Sequence, residues 1–184
     1  MRLIPASSYT SMPWKNGGGV TTEIAVYPEG AGLETFEWRV STAHVASDGP
    51  FSLFPNIDRT LSVLNGGGIV LHGGETVSLT PQTMPYAFAA DTPVSAALID
   101  GAIDDLNVMT RRGEWTHSVK CVDFDSRWVD EALDDLVLIY CAAGHISLAR
   151  DEVTGGTLVL EKGEQAELSA DGASRIYVIG LNRG

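Results

Sequence analysis

Ile69-Val70-Leu71-His72-Gly73-Gly74-Glu75-Thr76-Val77-Ser78-Leu79-Thr80-Pro81 decides the fold of this chain. Two short apolar runs, Ile69 to His72 and Thr76 to Leu79, flank a Gly-Gly-Glu turn, which is the grammar of paired strands rather than of a helix. The pattern extends outward. From Leu61 to Gly101 the chain reads strand, glycine turn, strand, Gly-Gly-Glu, strand, turn, strand, and Leu136 to Leu181 repeats it around Gly144 and Gly163-Glu164. Period-two alternation recurs where Phe36, Trp38 and Val40 face away from Glu37, Arg39 and Ser41, and where Val94, Ala96 and Leu98 alternate with Ser95, Ala97 and Ile99. Short runs at Arg59 to Leu64, Val137 to Cys141, Ile146 to Leu148, Thr157 to Leu160 and Arg175 to Ile179 complete an all-β reading, a barrel or a sandwich. One stretch departs from it: Ser126 to Asp135 reads as a short connecting helix with Ser126 as N-cap. No Gly/Ser-rich or Pro-rich linker divides the chain.

Composition narrows the function. The 184 residues are 44% hydrophobic, enough for a sizeable core, and carry a net charge of -12. That charge opposes nucleic-acid phosphates and anionic membranes alike, so neither is expected as a partner. Met1 to Pro13 shows no secretory pattern and no apolar run reaches spanning length, which predicts a cytoplasmic protein. Cys121 and Cys141 stand apart and read as small core residues rather than a redox pair.

Familiar catalytic signatures are missing. His44, His72, His117 and His145 show neither His-x-His nor His-x-x-x-His spacing, so no metal or other cofactor is expected. No Gly-x-Ser-x-Gly elbow occurs. The acidic pairs Asp104-Asp105 and Asp134-Asp135 read as solvated turns, because neighbours on a strand point to opposite faces.

Four clusters carry more polarity than a β core needs. Trp14-Lys15-Asn16-Gly17-Gly18-Gly19, followed by Thr21-Thr22-Glu23, is either a tight connection into a strand or a loop whose amides face a small anion. Phe36 to Ser41 sets Glu37, Arg39 and Ser41 on one face. Asp48-Gly49-Pro50-Phe51-Ser52-Leu53-Phe54-Pro55 reads as a loop over a barrel mouth, with Arg59 at the start of the next strand. Asp104 to Arg112 presents Asn107, Met109 and Arg111 on one side if extended, or forms an exposed linking strand.

The Gly73 to Pro81 pattern and its weaker partner, Glu161 to Ser169, are similar to the turn between barrel strands in cupins. Taken in order, Trp14 to Glu23, Trp38-Arg39-x-Ser41, Gly49 to Pro55, Asp58-Arg59 and Asp105 to Arg112 resemble the HutD/Ves family. The resemblance implies a metal-free bicupin: two double-stranded β-helix (RmlC-like jelly-roll) barrels in one chain, with approximate halves 1-112 and 113-184 and strands that can exchange between them. It also implies a ligand site drawn from Lys15, Asn16, Glu23, Trp38, Arg39, Phe51, Arg59, Asn107, Met109 and Arg111. For the histidine-utilisation branch of the family, the implied role is non-enzymatic: limiting the pathway by binding a carboxylate intermediate such as formylglutamate or urocanate. Two other readings stand beside it. One is a cofactor-free lyase, isomerase or hydrolase with Glu23 or Lys15 as base; the other is a stress-related interaction module whose long β edges can pair two copies into a homodimer.

Overall fold

The computed structural model describes residues 1–148, 151–153 and 155–184. The alternating runs are strands: β1 (Arg2–Ile4), β2 (Thr10–Pro13), β3 (Gly19–Tyr27), β4 (Trp38–Val45), β5 (Gly49–Pro50), β6 (Ile57–Asn65), β7 (Ile69–His72), β8 (Thr76–Leu79), β9 (Tyr86–Ala89), β10 (Ser95–Leu98) and β11 (Ile103–Arg111). They continue with β12 (Trp115–Phe124), β13 (Arg127–Glu131), β14 (Leu136–Ala143), β15 (Ile146–Leu148), β16 (Asp151–Glu152), β17 (Thr157–Glu161), β18 (Gln165–Ala170) and β19 (Ser174–Arg183). A 3-10 turn at Ala6–Ser8 is the one helical element among the described residues. Among the described residues no helix is long and apolar enough to cross a membrane. The chain is all-β.

Two compact units form, one from Tyr9–Trp115 and one from Met1–Ser8 together with Thr116–Gly184. In the Tyr9–Trp115 unit a six-stranded sheet runs in the order β2-β3-β4-β11-β6-β9 and a four-stranded sheet in the order β5-β10-β7-β8. Ala43, Val45, Leu61, Val63 and Ile103 of the large sheet pack against Ile69, Leu71, Leu79 and Ala96 of the small one. Burying a leucine such as Leu61, fully inaccessible here, contributes about 1.5–3 kcal/mol. The turn between β6 and β7 needs its glycines: Gly66 and Gly68 take φ of 94° and 125°, and a Cβ on Gly67 would lie 2.1 Å from the Ile99 carbonyl oxygen.

The other unit has a five-stranded sheet, β1-β17-β14-β19-β12, and a four-stranded one, β13-β18-β15-β16. Val137, Ile139, Cys141, Leu158 and Leu160 meet Ile146, Ala166 and Leu168 in its core. The expected helix over Ser126 to Asp135 is not there. Arg127–Glu131 is a strand paired with β18, with Trp128 opposite Leu168, and Trp128 turns inward against Phe124, ring centroids 6.5 Å apart. A ten-residue helix gains little on its own, whereas the strand register satisfies its backbone and buries one tryptophan.

The Asp48 to Pro55 segment is pinned rather than free. Phe51 N donates to Val94 O at 2.9 Å, Phe54 N to Ala90 O at 2.9 Å, and Leu98 N to Asp48 Oδ1 at 2.8 Å.

On β6, Ser62 is 4% exposed and its Oγ has no hydrogen-bond partner. An unsatisfied buried hydroxyl costs about 1–3 kcal/mol. Ser62→Ala should therefore raise the unfolding free energy by about 1 kcal/mol in a urea titration. A loss of that size would mean that the hydroxyl is bonded in solution.

Candidate functional site

Residues opposite one another on antiparallel strands share a face. Met109 of β11 lies between Arg39 on β4 and Arg59 on β6, Asn107 between Ser41 and Leu61, and Asp105 between Ala43 and Val63. Glu23 on β3 pairs with Ser41, and Phe88 on β9 with Arg59. One face of the large sheet thus gathers Glu23, Arg39, Ser41, Arg59, Asp105 and Asn107 beside the apolar core. The register slips between Glu23 and Ala25 of β3 and between Asp104 and Asp105 of β11. Bulges of this kind re-aim side chains.

The charges are built into a network. Arg39 is 5% exposed; its Nε donates to Glu23 Oε2 at 2.7 Å and its Nη1 to Ser41 Oγ at 3.4 Å. A buried guanidinium needs such a partner, since removing one member of a buried pair costs about 3–5 kcal/mol. Arg59 behaves differently. Its Nε donates to Asn107 Oδ1 at 2.8 Å and its Nη2 donates to the same oxygen, so its acceptor is a neutral amide. Asn107 Nδ2 in turn donates to Asp105 Oδ1 at 2.5 Å. The guanidinium carbon of Arg59 sits 4.4 Å from the Phe51 ring centroid and 5.7 Å from that of Phe88, and the two rings stack at 6.4 Å. Such contacts favour a cation.

Burial dominates the electrostatics. It pulls Arg59 down to about 10, against the attraction of Asp105 and with the repulsion of Arg39 adding to it. Burial likewise pushes the Asp105 carboxyl up to about 7, opposed by Arg59 and by the hydrogen bond from Asn107. Asp105 therefore titrates near neutrality while Arg59 stays charged.

Of the residues named from sequence, Glu23, Arg39, Arg59 and Asn107 come together, with Phe51 stacked on Arg59. Met109 shares the face but packs with Phe36, Ile57 and Ala90. Trp38 points to the opposite face of β4 from Arg39, stacked on Tyr27 at 6.0 Å and edge-on to Trp115 at 6.4 Å. Arg111 ties down main chain: its Nε donates to Phe36 O at 3.0 Å and its Nη2 to Glu34 O at 3.0 Å.

Lys15 and Asn16 belong to the turn between β2 and β3, both exposed. Asn16 Oδ1 accepts from Gly18 N at 3.0 Å, and Gly17 N donates to Trp14 O at 3.0 Å. A Cβ on Gly19 would lie 2.4 Å from His44 O and 3.0 Å from the Trp14 ring. The glycines thus serve close packing, and the amides of Gly17 and Gly18 are spent within the turn, not aimed at an anion.

Asp105 departs from the solvated turn expected for the Asp104-Asp105 pair. It is 1% exposed in the middle of a strand. The signal was present: Asp105 precedes Asn107, Met109 and Arg111 by the same period of two. Ser41 and Phe88 are the other participants that the motifs did not single out as ligand residues. Among the described residues no group of three or more His, Cys, Asp and Glu side chains is placed to hold a metal.

The HutD family model matches residues 6–179. A 21.2 kDa protein of the hutC 3′ region of Pseudomonas putida is 34% identical over 151 residues, covering 81% of this chain and 77% of its own. Protein Ves of Citrobacter koseri is 39% identical over 112 residues, 60% of this chain and 58% of its own length. The structure of HutD from Pseudomonas fluorescens, described under a formate condition, superposes with a TM-score of 0.81 at 32% identity, covering 100% of this chain and 98% of that one. A cupin 2 conserved barrel protein from Leptotrichia buccalis, at 12% identity and a TM-score of 0.57 over 93% of this chain and 92% of its own, shares the fold.

The raised Asp105 carboxyl makes a signed prediction. In the unfolded chain it titrates near its ordinary value of 3.8 and in the folded chain at about 7. Its contribution to stability is then fully present below about pH 4 and is lost as pH rises through about 7. Asp105→Asn removes this titration, so the stability of wild type relative to the variant should fall between about pH 4 and pH 7 in paired chemical denaturation curves. A difference that stays constant across that window would remove the shift.

Proposed function

The chain belongs to the HutD family, and on that premise we propose that it is a non-enzymatic, metal-free binding protein for a small carboxylate-bearing metabolite. The carrying observation is Arg59: a cation whose direct hydrogen-bond acceptor is a neutral amide and whose face rests on two aromatic rings. Such a guanidinium has charge to offer a ligand carboxylate. Asn107 and Ser41 read neutral polar groups beside it, Phe51 and Phe88 cover apolar parts, and Arg39 with Glu23 forms a second, already neutralised, polar wall.

Formylglutamate and urocanate both fit this chemistry. The first supplies carboxylates and a formyl amide; the second supplies a carboxylate on a planar acrylate conjugated with an imidazole ring, a flat surface suited to the Phe51 and Phe88 faces. The names of the Pseudomonas putida and Pseudomonas fluorescens relatives support a link to histidine utilisation, and we place the protein in the cytoplasm on that reading. We read each compact unit as one double-stranded β-helix barrel, the pair making a bicupin. A large and a small sheet around a shared apolar core in each unit support this, as does the cupin relative.

A cofactor-free enzyme is favoured by one observation, the buried Asp105 carboxyl tied through Asn107 to Arg59, which burial pushes up to about 7, a range that suits a general acid or base. Glu23 and Lys15 fit that role less well: Glu23 is held by Arg39 and Lys15 is exposed in a turn. Turnover of a bound probe, lost in Asp105→Asn, would establish that reading.

Thermal unfolding of metal-stripped protein with formylglutamate, urocanate, glutamate, histidine and sugar phosphates tests the binding proposal. Ligand at about a hundred times its Kd adds roughly 2.7 kcal/mol, which moves the midpoint of a domain of this size by several degrees. We expect a selective shift with formylglutamate or urocanate and at least about tenfold weaker binding in Arg59→Ala. A flat panel would overturn the proposal.

A further inference from the structure

The polar face of the large sheet has a charge balance that a bound anion would upset. Arg39 and Glu23 neutralise each other through a direct ion pair. Arg59 and Asp105 balance only at a distance, through the Asn107 amide between them. The groups facing Asp105 are Arg59 from β6, Arg39 from β4 and its partner Glu23 from β3, with Tyr86 of β9 as the remaining titratable side chain on that face. Asp104 on its own strand points the other way and pairs with His44 at 2.8 Å. The small sheet contributes Leu71, Leu79 and Ala96, which carry no charge.

A carboxylate docking on Arg59 takes up the positive charge that had offset Asp105. Asp105, 1% exposed, is then a buried anion with no cation of its own, a costly arrangement. A proton from solvent removes the cost without dismantling the network. Asp105 Oδ1 continues to accept from Asn107 Nδ2, and Asn107 Oδ1 still faces Arg59.

We infer that this site takes up its anionic ligand together with a proton, which Asp105 holds, so that affinity falls as the surroundings become alkaline. The inference rests on the carboxylate-binding reading above and makes that site a sensor of pH as well as of metabolite. The sign follows from the cycle. Where free Asp105 is already protonated, binding is indifferent to pH; above its midpoint, binding must draw in a proton and weakens. The position of Asp105, already raised to about 7 without ligand, sets that boundary near neutrality.

The test is calorimetric titration of N-formylglutamate, whose own carboxyls stay ionised throughout, from about pH 6 to about pH 8.5 in buffers of different ionisation enthalpy. Wild type should show nearly constant Kd at the acid end, a weakening that approaches about tenfold per pH unit above about 7.5, and net uptake of close to one proton. Asp105→Asn, a permanently neutral mimic, should bind at about pH 8 more tightly than wild type and without the slope. A merely structural role for Asp105 predicts weaker binding in that variant instead. His44→Gln, on the exposed outer face, should keep the wild-type slope. Wild-type binding without a pH slope or proton uptake overturns the coupling and leaves carboxylate binding standing, as does a slope that persists in Asp105→Asn. Absence of binding at every pH, by N-formylglutamate and by urocanate alike, overturns both. Should Asp105→Asn fail to fold, the wild-type proton count decides alone.

Discussion

The amide of Asn107 has one way to face, and the polar side of the large sheet depends on it. Its oxygen receives two donors from Arg59 and its nitrogen donates to Asp105. A flipped amide would set donors against donors and leave a carboxylate facing an oxygen, with both groups buried. The orientation of Arg59, and hence of the charge presented beside Phe51 and Phe88, is inherited from that constraint. Asp105 is the far end of the same chain, holding the amide that holds the cation.

Strands were legible because their residues alternate and their turns are written in glycine: Ile69 to Pro81 reads directly into β7, turn and β8. Ser126 to Asp135 was misread because Ser126 imitates an N-cap, while the decisive force, the backbone partnership of β13 with β18, lies some forty residues away in sequence. Local pattern carries no record of such a partner. The site was legible in part for the same reason. Glu23, Arg39, Arg59 and Asn107 stand in recognisable motifs, but which of them meet depends on the register of β3, β4, β11 and β6 and on two bulges that no period-two reading anticipates.

Adjacency in a motif conceals a division of labour. Trp38 and Arg39 are neighbours in the chain yet serve opposite faces, one in an aromatic cluster with Tyr27 and Trp115, the other in an ion pair with Glu23. Arg59 and Arg111 are both arginines of the same sheet, but Arg111 spends its guanidinium on the carbonyls of Glu34 and Phe36. Asn16 closes its turn while Asn107 bridges two charges. Residue type alone does not separate these roles; what each polar atom is bonded to does.

The N-terminal strand has a consequence for how the chain comes off the ribosome. Residues 9–115 are contiguous, so every strand of that unit has emerged before synthesis of the other is complete. Arg2, Leu3 and Ile4 come out before that unit but pair with Val159, Leu158 and Thr157, and must wait until those residues are made. Folding during translation therefore proceeds inside out. Residues 9–115 consolidate while β1 stays unpartnered, and β17, made later, closes a sheet on it.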